Sequence, residues 1–115
     1  MTFYEKRKFK RVKGVLKTIC LIGEAGNPVE FFADSENLSE GGIRIISDQE
    51  LAPDTQLALV LWLPGHEEEL SLSGKVIYTN RSEERNSFFE TGIQFLFLSD
   101  KNKTAIQEYV TGNGS

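Results

Sequence analysis

A short basic stretch near the start of the chain contains the first residues whose types and spacing could do chemistry. Residues 5–11 read EKRKFKR, and Arg7 and Arg11 stand four positions apart. A guanidinium can hold a phosphate, bind the O6/N7 edge of guanine or stack on a base. Side chains four apart adjoin in a turned or helical backbone and separate to about 13 Å in an extended one. The spacing predicts an arm able to converge on an anion, with a solvated basic tail as the simpler alternative.

Positive charge is confined to this arm in a chain that is acidic as a whole. The 115 residues carry a formal net charge of -4 at pH 7. Seven of the thirteen Lys and Arg residues fall between Lys6 and Lys17, which leaves six to balance seventeen acidic residues elsewhere. Proteins that bind long nucleic acids usually spread their basic residues over a face. The confinement favours a small anionic partner, and we expect no DNA or RNA partner.

A second polar stretch, NLSEGG at residues 37–42, combines short polar side chains with two glycines. In an extended backbone Asn37 and Ser39 face the same way, and together they offer hydrogen-bond donors and acceptors. Gly41 and Gly42 permit positive φ and leave backbone amides open to a ligand. The stretch predicts a site that reads a base edge, although an ordinary polar turn between strands fits it equally well.

The remaining candidates for chemistry are weaker. His66 is the only histidine, and the three glutamates that follow it predict a solvated acidic turn without a metal. No serine–histidine or paired-carboxylate arrangement has a positioned base, so we expect no catalytic residue. The single cysteine, Cys20, lies in an apolar run and is expected to be buried and reduced. Charged residues at the start, and no apolar run near the ~20 residues of a membrane helix, predict a cytoplasmic protein without membrane insertion.

Short apolar runs separated by turn residues predict six antiparallel strands. They cover residues 14–22, 29–34, 43–47, 55–63, 70–78 and 88–97. The tail changes period: Ser99 is a suitable N-cap, apolar residues then recur at helical spacing, and Gly112 ends the pattern. We expect one domain over residues 1–115, with an arm at 1–12, strands at 13–98 that form a barrel or a sandwich, and a helix at 99–111.

Taken together, the two polar stretches resemble the motif pair of a known family. Arg7-x-x-x-Arg11, followed about thirty residues later by Asn37-x-Ser39-x-x-Gly42, is similar to the two motifs of the PilZ domain, which binds the bacterial second messenger cyclic di-GMP (c-di-GMP). The segments LSEGGIRI, LPG and TGIQF also resemble PilZ sequences, so the likeness covers nearly the whole chain. It implies an all-β fold: a six-stranded antiparallel PilZ-type barrel with a C-terminal α-helix and a basic N-terminal arm.

The resemblance also implies which residues bind the ligand. Arg7 and Arg11 would hold phosphate and guanine, Asn37 and Ser39 would hydrogen-bond a guanine edge, and Gly42 would let the backbone come close. A smaller contribution is expected from Lys6, Lys8, Gly41 and Arg44. No cofactor is implied beyond c-di-GMP itself.

The resulting prediction is a receptor rather than an enzyme. The basic arm would close over the barrel, and an unidentified protein effector would recognise the closed state. Motility and exopolysaccharide secretion are the processes that the resemblance suggests. One alternative is a PilZ-like adaptor that binds protein and no nucleotide, but such members usually lack the arginines. The other is a basic-armed nucleic-acid-binding barrel, which would be expected to display aromatic residues on its binding face.

Overall fold

The structure is a computed structural model that describes residues 16–23, 26–83 and 86–113. These ranges form six strands followed by one helix. In chain order they are β1 Leu16–Ile22, β2 Val29–Glu36, β3 Gly42–Ser47, β4 Gln56–Leu61, β5 Leu70–Arg81, β6 Phe89–Phe97 and α1 Asp100–Asn113. The predicted succession of strands and a final helix is confirmed.

The six strands close into a barrel in which every pair of neighbours is antiparallel. The order around the barrel is β1-β2-β3-β6-β5-β4, and β4 pairs back onto β1. Closure leaves no strand with an unpaired edge, which a small all-β domain would otherwise have to protect. The predicted closed antiparallel barrel is therefore confirmed.

Alternating side chains fill the interior of the barrel. In β1, for example, Leu16 and Cys20 are buried while Lys17 between them is exposed, as the pleat of a strand requires. Helix α1 adds apolar residues at helical spacing to the same core: Ala105, Ile106, Tyr109 and Val110. Cys20 is 0% exposed, as predicted, and this burial raises the pKa of its thiol to about 12.

The bounds of several elements differ from the predicted ones, mainly at polar strand ends. Strand β2 continues to Glu36, which pairs with Arg44, and β5 continues to Arg81, which pairs with Phe89. Backbone hydrogen bonds can extend a strand whatever its side chains are, so polarity alone ended the predicted strands too early. Conversely, β4 ends before Trp62, whose side chain is 42% exposed.

Candidate functional site

The turn between β2 and β3, residues 37–42, contains the second predicted motif, and we call it the motif turn. Asn37 leaves β2 with a φ of 57°, in the left-handed region that asparagine tolerates better than most residues. The extended backbone considered for Asn37 and Ser39 is therefore wrong, because the chain must reverse here to enter β3. The N–H of Ser39 closes the turn by donating to the carbonyl oxygen of Gly42 at 3.0 Å.

The hydroxyl of Ser39 lies inside the motif turn rather than on its surface. Ser39 is only 1% exposed. Its Oγ accepts the N–H of Gly41 at 3.2 Å and donates to the carbonyl oxygen of Gly42 at 3.5 Å. In this state the hydroxyl therefore holds the shape of the turn, whereas the half-buried Asn37 is partly open to solvent.

The motif turn is fixed against β6 through its backbone. A Cβ added to Gly42 would lie 2.1 Å from the carbonyl oxygen of Ile93, so only glycine permits this approach. The N–H of Phe95 donates to the carbonyl oxygen of Gly41 at 3.0 Å, and Leu38 is buried in the core. The position of the turn is thus set by the barrel, while an approach of a ligand to its glycines stays a prediction.

Arg44 lies on the outer face of β3 between carboxylates from both neighbouring strands. Its Nη2 donates to Oε1 of Glu36, directly opposite on β2, and its Nη1 lies 3.8 Å from Oε1 of Glu90 on β6. We call these three residues the charged corner; each side chain is about one-third exposed. Burial works to lower the pKa of Arg44, but the hydrogen bond and charge of Glu36, with the charge of Glu90, raise it overall. Arg44 is therefore a fixed cation beside the motif turn.

The ring of Tyr78 lies on the other side of the charged corner. Gly92 pairs with Arg44 on one side and with Tyr78 on the other. A Cβ added to Gly92 would lie 2.1 Å from Cε2 of Tyr78, so the ring covers this glycine. No side chain therefore stands between Arg44 and the tyrosine ring along this row of the sheet.

An open groove of about 540 Å³ lies beside the charged corner on the same face of the barrel. Within it Lys17 Nζ lies 3.0 Å from Oδ1 of Asp34, and Phe32 is 73% exposed. A volume of this size is in the range of small-molecule pockets. The complete lining consists of Lys17, Thr18, Phe32, Ala33, Asp34, Ile46 and Phe88.

The predicted ligand residues of the arm lie outside the described residues; they are Lys6, Arg7, Lys8 and Arg11. The first described residue, Leu16, pairs with Ser35 on β2. Ser35 precedes Asn37 by two positions. Strand β1 therefore starts beside the strand end from which the motif turn departs.

The other sequence candidates lie in less enclosed surroundings. His66 is half-buried in its turn, and the three glutamates that follow it are exposed. Within residues 16–23, 26–83 and 86–113, no three His, Cys, Asp or Glu side chains are grouped so that they could hold a metal ion. In the same ranges no helix is both long enough and apolar enough to cross a membrane.

Sequence reasoning missed two members of the charged corner, Glu36 and Glu90. They are more than fifty positions apart, and only the strand register brings them to the same arginine. The adjacent Phe88 and Phe89 have different surroundings. Phe88 lines the groove, whereas the ring of Phe89 lies 5.3 Å from the guanidinium carbon of Arg81.

Comparison with known proteins gives the same architecture. Solved structures with this fold include the following three. The Bacillus subtilis inhibitor of motility (MotI/DgrA) has a TM-score of 0.77 at 18% identity over 93% of this chain and 50% of that one. The PilZ domain of YcgR from Escherichia coli with c-di-GMP has a TM-score of 0.68 at 14% identity, over 94% and 91%. The c-di-GMP complex of MrkH from K. pneumonia has a TM-score of 0.71 at 19% identity, over 92% and 51%.

The chain therefore spans about half the length of the MotI/DgrA and MrkH chains. No curated protein sequence matches it significantly. The family model described as PilZ domain, however, matches residues 5–112. This match covers almost all of the 115 residues, and the chain belongs to the PilZ domain family.

Proposed function

We propose that this chain is a receptor for c-di-GMP, which it binds between the basic arm and the face of the barrel around the motif turn. The observation that supports the proposal is that three parts of the barrel lie close together: the fixed motif turn, the arginine of the charged corner and the start of β1. Leu16 opens β1 beside the end of β2. Arg11 is five residues before Leu16, and five residues span at most about 17 Å. The arm can therefore bring its arginines to the motif turn.

The proposed roles follow from the charges and hydrogen-bonding groups of the ligand. Two phosphodiesters carry two negative charges, which suit Arg7 and Arg11, with Lys6 and Lys8 adding attraction. Asn37 would hydrogen-bond a guanine edge. Ser39 would act mainly by holding the turn, because its hydroxyl is buried.

The backbone of Gly41 and Gly42 would lie close to the ligand, and Arg44 would offset part of the negative charge of the nearby carboxylates. Hydrogen bonds to charged groups contribute about 1.5–3 kcal/mol each. Two or three of them, after the cost of ordering the arm, correspond to micromolar affinity, about -8 kcal/mol.

The proposed output is a change of surface rather than a reaction. Ligand binding would order the arm over the barrel, and a protein effector would distinguish the two states. A receptor of this kind needs no catalytic group and no cofactor besides its ligand. Regulation of motility or exopolysaccharide secretion is the physiological role that this proposal suggests.

Calorimetric titration with c-di-GMP and with GTP tests the proposal. We expect saturable binding of c-di-GMP at micromolar concentration and much weaker binding of GTP. Arg11→Ala should weaken binding by about 2–5 kcal/mol, because it removes a charged contact and leaves its partner unpaired. The matched control is Lys103→Ala, which also removes one positive charge but from the exposed face of α1. It should bind as the wild type does.

Other outcomes identify the alternatives. No heat with either nucleotide at high concentration would contradict the proposal and favour the adaptor. Binding of an oligonucleotide with an affinity that rises with its length and falls steeply with salt would favour a nucleic-acid-binding barrel. The stoichiometry of the titration would show whether one ligand or a stacked pair binds.

A further inference from the structure

The charged corner carries more negative than positive charge, which restricts the part of a ligand that can face it. Two carboxylates, Glu36 and Glu90, lie against the single guanidinium of Arg44. An anionic phosphodiester placed here would meet a cation that is already neutralised, together with a surplus carboxylate. This corner is therefore better suited to an uncharged group with hydrogen-bond donors. The reasoning rests on the proposed function, in which the ligand is c-di-GMP.

The two carboxylates differ in how much of their hydrogen-bonding capacity is used. Glu36 accepts a hydrogen bond from Nη2 of Arg44. Glu90 comes no closer to this guanidinium than 3.8 Å, which is too long for a hydrogen bond. Within the described part of the chain, Glu90 is oriented by the charge of Arg44 while its oxygens can still accept hydrogen bonds.

Glu90 also stands at the edge of the groove. Ile46 lies directly opposite it on β3 and lines the groove. Phe88, two positions before Glu90 and therefore on the same side of the backbone, lines it as well. With Phe32 these residues give apolar walls on which the flat face of a base can stack. A base seated in the groove would thus have its edge near the Glu90 carboxylate.

The chemistry of a carboxylate selects among purine bases. The Watson–Crick edge of guanine offers two adjacent donors, N1–H and the exocyclic amine, and a carboxylate offers two acceptor oxygens at matching spacing. Adenine has one donor and one acceptor on that edge, and hypoxanthine keeps N1–H but lacks the amine. Asn37 in the motif turn cannot make this two-acceptor contact, because its amide has a single oxygen.

We propose that Glu90 is a specificity residue that recognises guanine. One base of c-di-GMP lies in the groove, stacked on Phe32 and Phe88, and donates its two N–H groups to the Glu90 carboxylate. Arg44 fixes that carboxylate from the other side. Selection of guanine at this base then comes from β6, outside the two motifs that the sequence displays.

Competition between base analogues tests this proposal. The affinities of c-di-GMP and of its cyclic di-hypoxanthine and di-adenine analogues are measured on the wild type and on Glu90→Gln. The wild type should prefer guanine over hypoxanthine. In Glu90→Gln the affinity for c-di-GMP should fall about 10- to 100-fold, as for a lost hydrogen bond to a charged group. The affinity for the hypoxanthine analogue should fall less in this variant, so that the ratio of the affinities for c-di-GMP and for the hypoxanthine analogue moves towards one.

Glu68→Gln is the matched control, because it also neutralises one carboxylate on an exposed turn, where Glu68 faces Lys101. This variant should keep the wild-type ratio of the affinities for c-di-GMP and for the hypoxanthine analogue. Glu90→Asp, which keeps the charge on a shorter side chain, should give an intermediate ratio. Equal weakening of all three ligands in Glu90→Gln would overturn the proposal, because it would show a general effect of charge. An unchanged ratio would overturn it too, whereas failure of the wild type to bind c-di-GMP would remove the proposed function itself.

Discussion

Two turns of the barrel are each six residues long but are built in different ways. The motif turn joins β2 to β3, and the acidic turn, residues 64–69, lies between β4 and β5. Each contains glycine and glutamate, and each reaches helix α1 through a glutamate. Oε2 of Glu40 lies 3.2 Å from Nε2 of Gln107, and Oε2 of Glu68 lies 3.5 Å from Nζ of Lys101.

The difference lies in what surrounds their glycines. A Cβ on Gly42 would meet the backbone of β6 at 2.1 Å, whereas a Cβ on Gly65 would meet nothing within 4 Å. Gly65 is needed for its φ of 86°, which an L side chain rarely adopts. Glycine thus serves packing in the motif turn and conformation in the acidic turn. Only the first turn has a shape imposed by the rest of the barrel, which is what a preorganised binding surface requires.

Substitution of the two glycines should give the largest difference in stability between the two turns. Gly42→Ala forces the motif turn away from Ile93 and disturbs the pairing of β3 with β6, so we expect the free energy of unfolding to fall by about 3 kcal/mol or more. The added methyl group of Gly65→Ala meets open space, so the free energy of unfolding should fall by only about 1 kcal/mol, because of the positive φ at this position. Urea denaturation of both variants measures the difference.

The same pair also distinguishes packing from backbone conformation. If Gly42→Ala and Gly65→Ala lose equal stability, the motif turn is not held against β6 as described. Binding adds an independent readout, because Gly42→Ala should also weaken binding of c-di-GMP while Gly65→Ala should leave it unchanged.

Side-chain truncation within the two turns should have the next largest effect. Ser39→Ala removes the buried acceptor of the Gly41 N–H, so we expect a loss of about 1–3 kcal/mol in the free energy of unfolding. His66→Ala in the acidic turn should change it by less than about 0.5 kcal/mol, as for most surface substitutions. Thermal unfolding of the two variants checks this. A loss in His66→Ala as large as in Ser39→Ala would contradict the description of the acidic turn as solvated.

The sequence predicted the architecture well because the features that build it are local. Short apolar runs between turn residues marked the strands, and a change of period marked the helix. Many short strands at close spacing indicated a barrel or a sandwich, and the resemblance to the PilZ domain favoured the barrel. Strand ends were less predictable, because Glu36 and Arg81 continue their strands through backbone pairing that polar side chains do not reveal.

The candidate site was predictable only in part. The motif turn was identified from its residue types, but its left-handed Asn37 and buried Ser39 depend on how the chain reverses and packs against β6. The charged corner was not predictable, because register alone brings Glu90 to Arg44. The roles of Arg7 and Arg11 stay predictions, since both lie outside the described residues.

The contacts of the two turns with α1 should have the smallest effects and show which element holds the motif turn. Gln107→Ala removes the donor to Glu40, and Lys101→Ala removes the ion pair with Glu68, both at exposed positions. Because exposed polar pairs contribute about 0–1 kcal/mol and are screened by salt, the free energy of unfolding of either variant should fall by no more than about 0.5 kcal/mol at 0.15 M salt.

Urea denaturation at low and high salt is the measurement, and only Lys101→Ala should show a salt-dependent difference from the wild type. A loss above about 1 kcal/mol in Gln107→Ala, beyond the range of a surface substitution, would mean that the helix also supports the motif turn. The smaller loss that we expect would leave the Gly42 contact with β6 as the feature that separates the two turns.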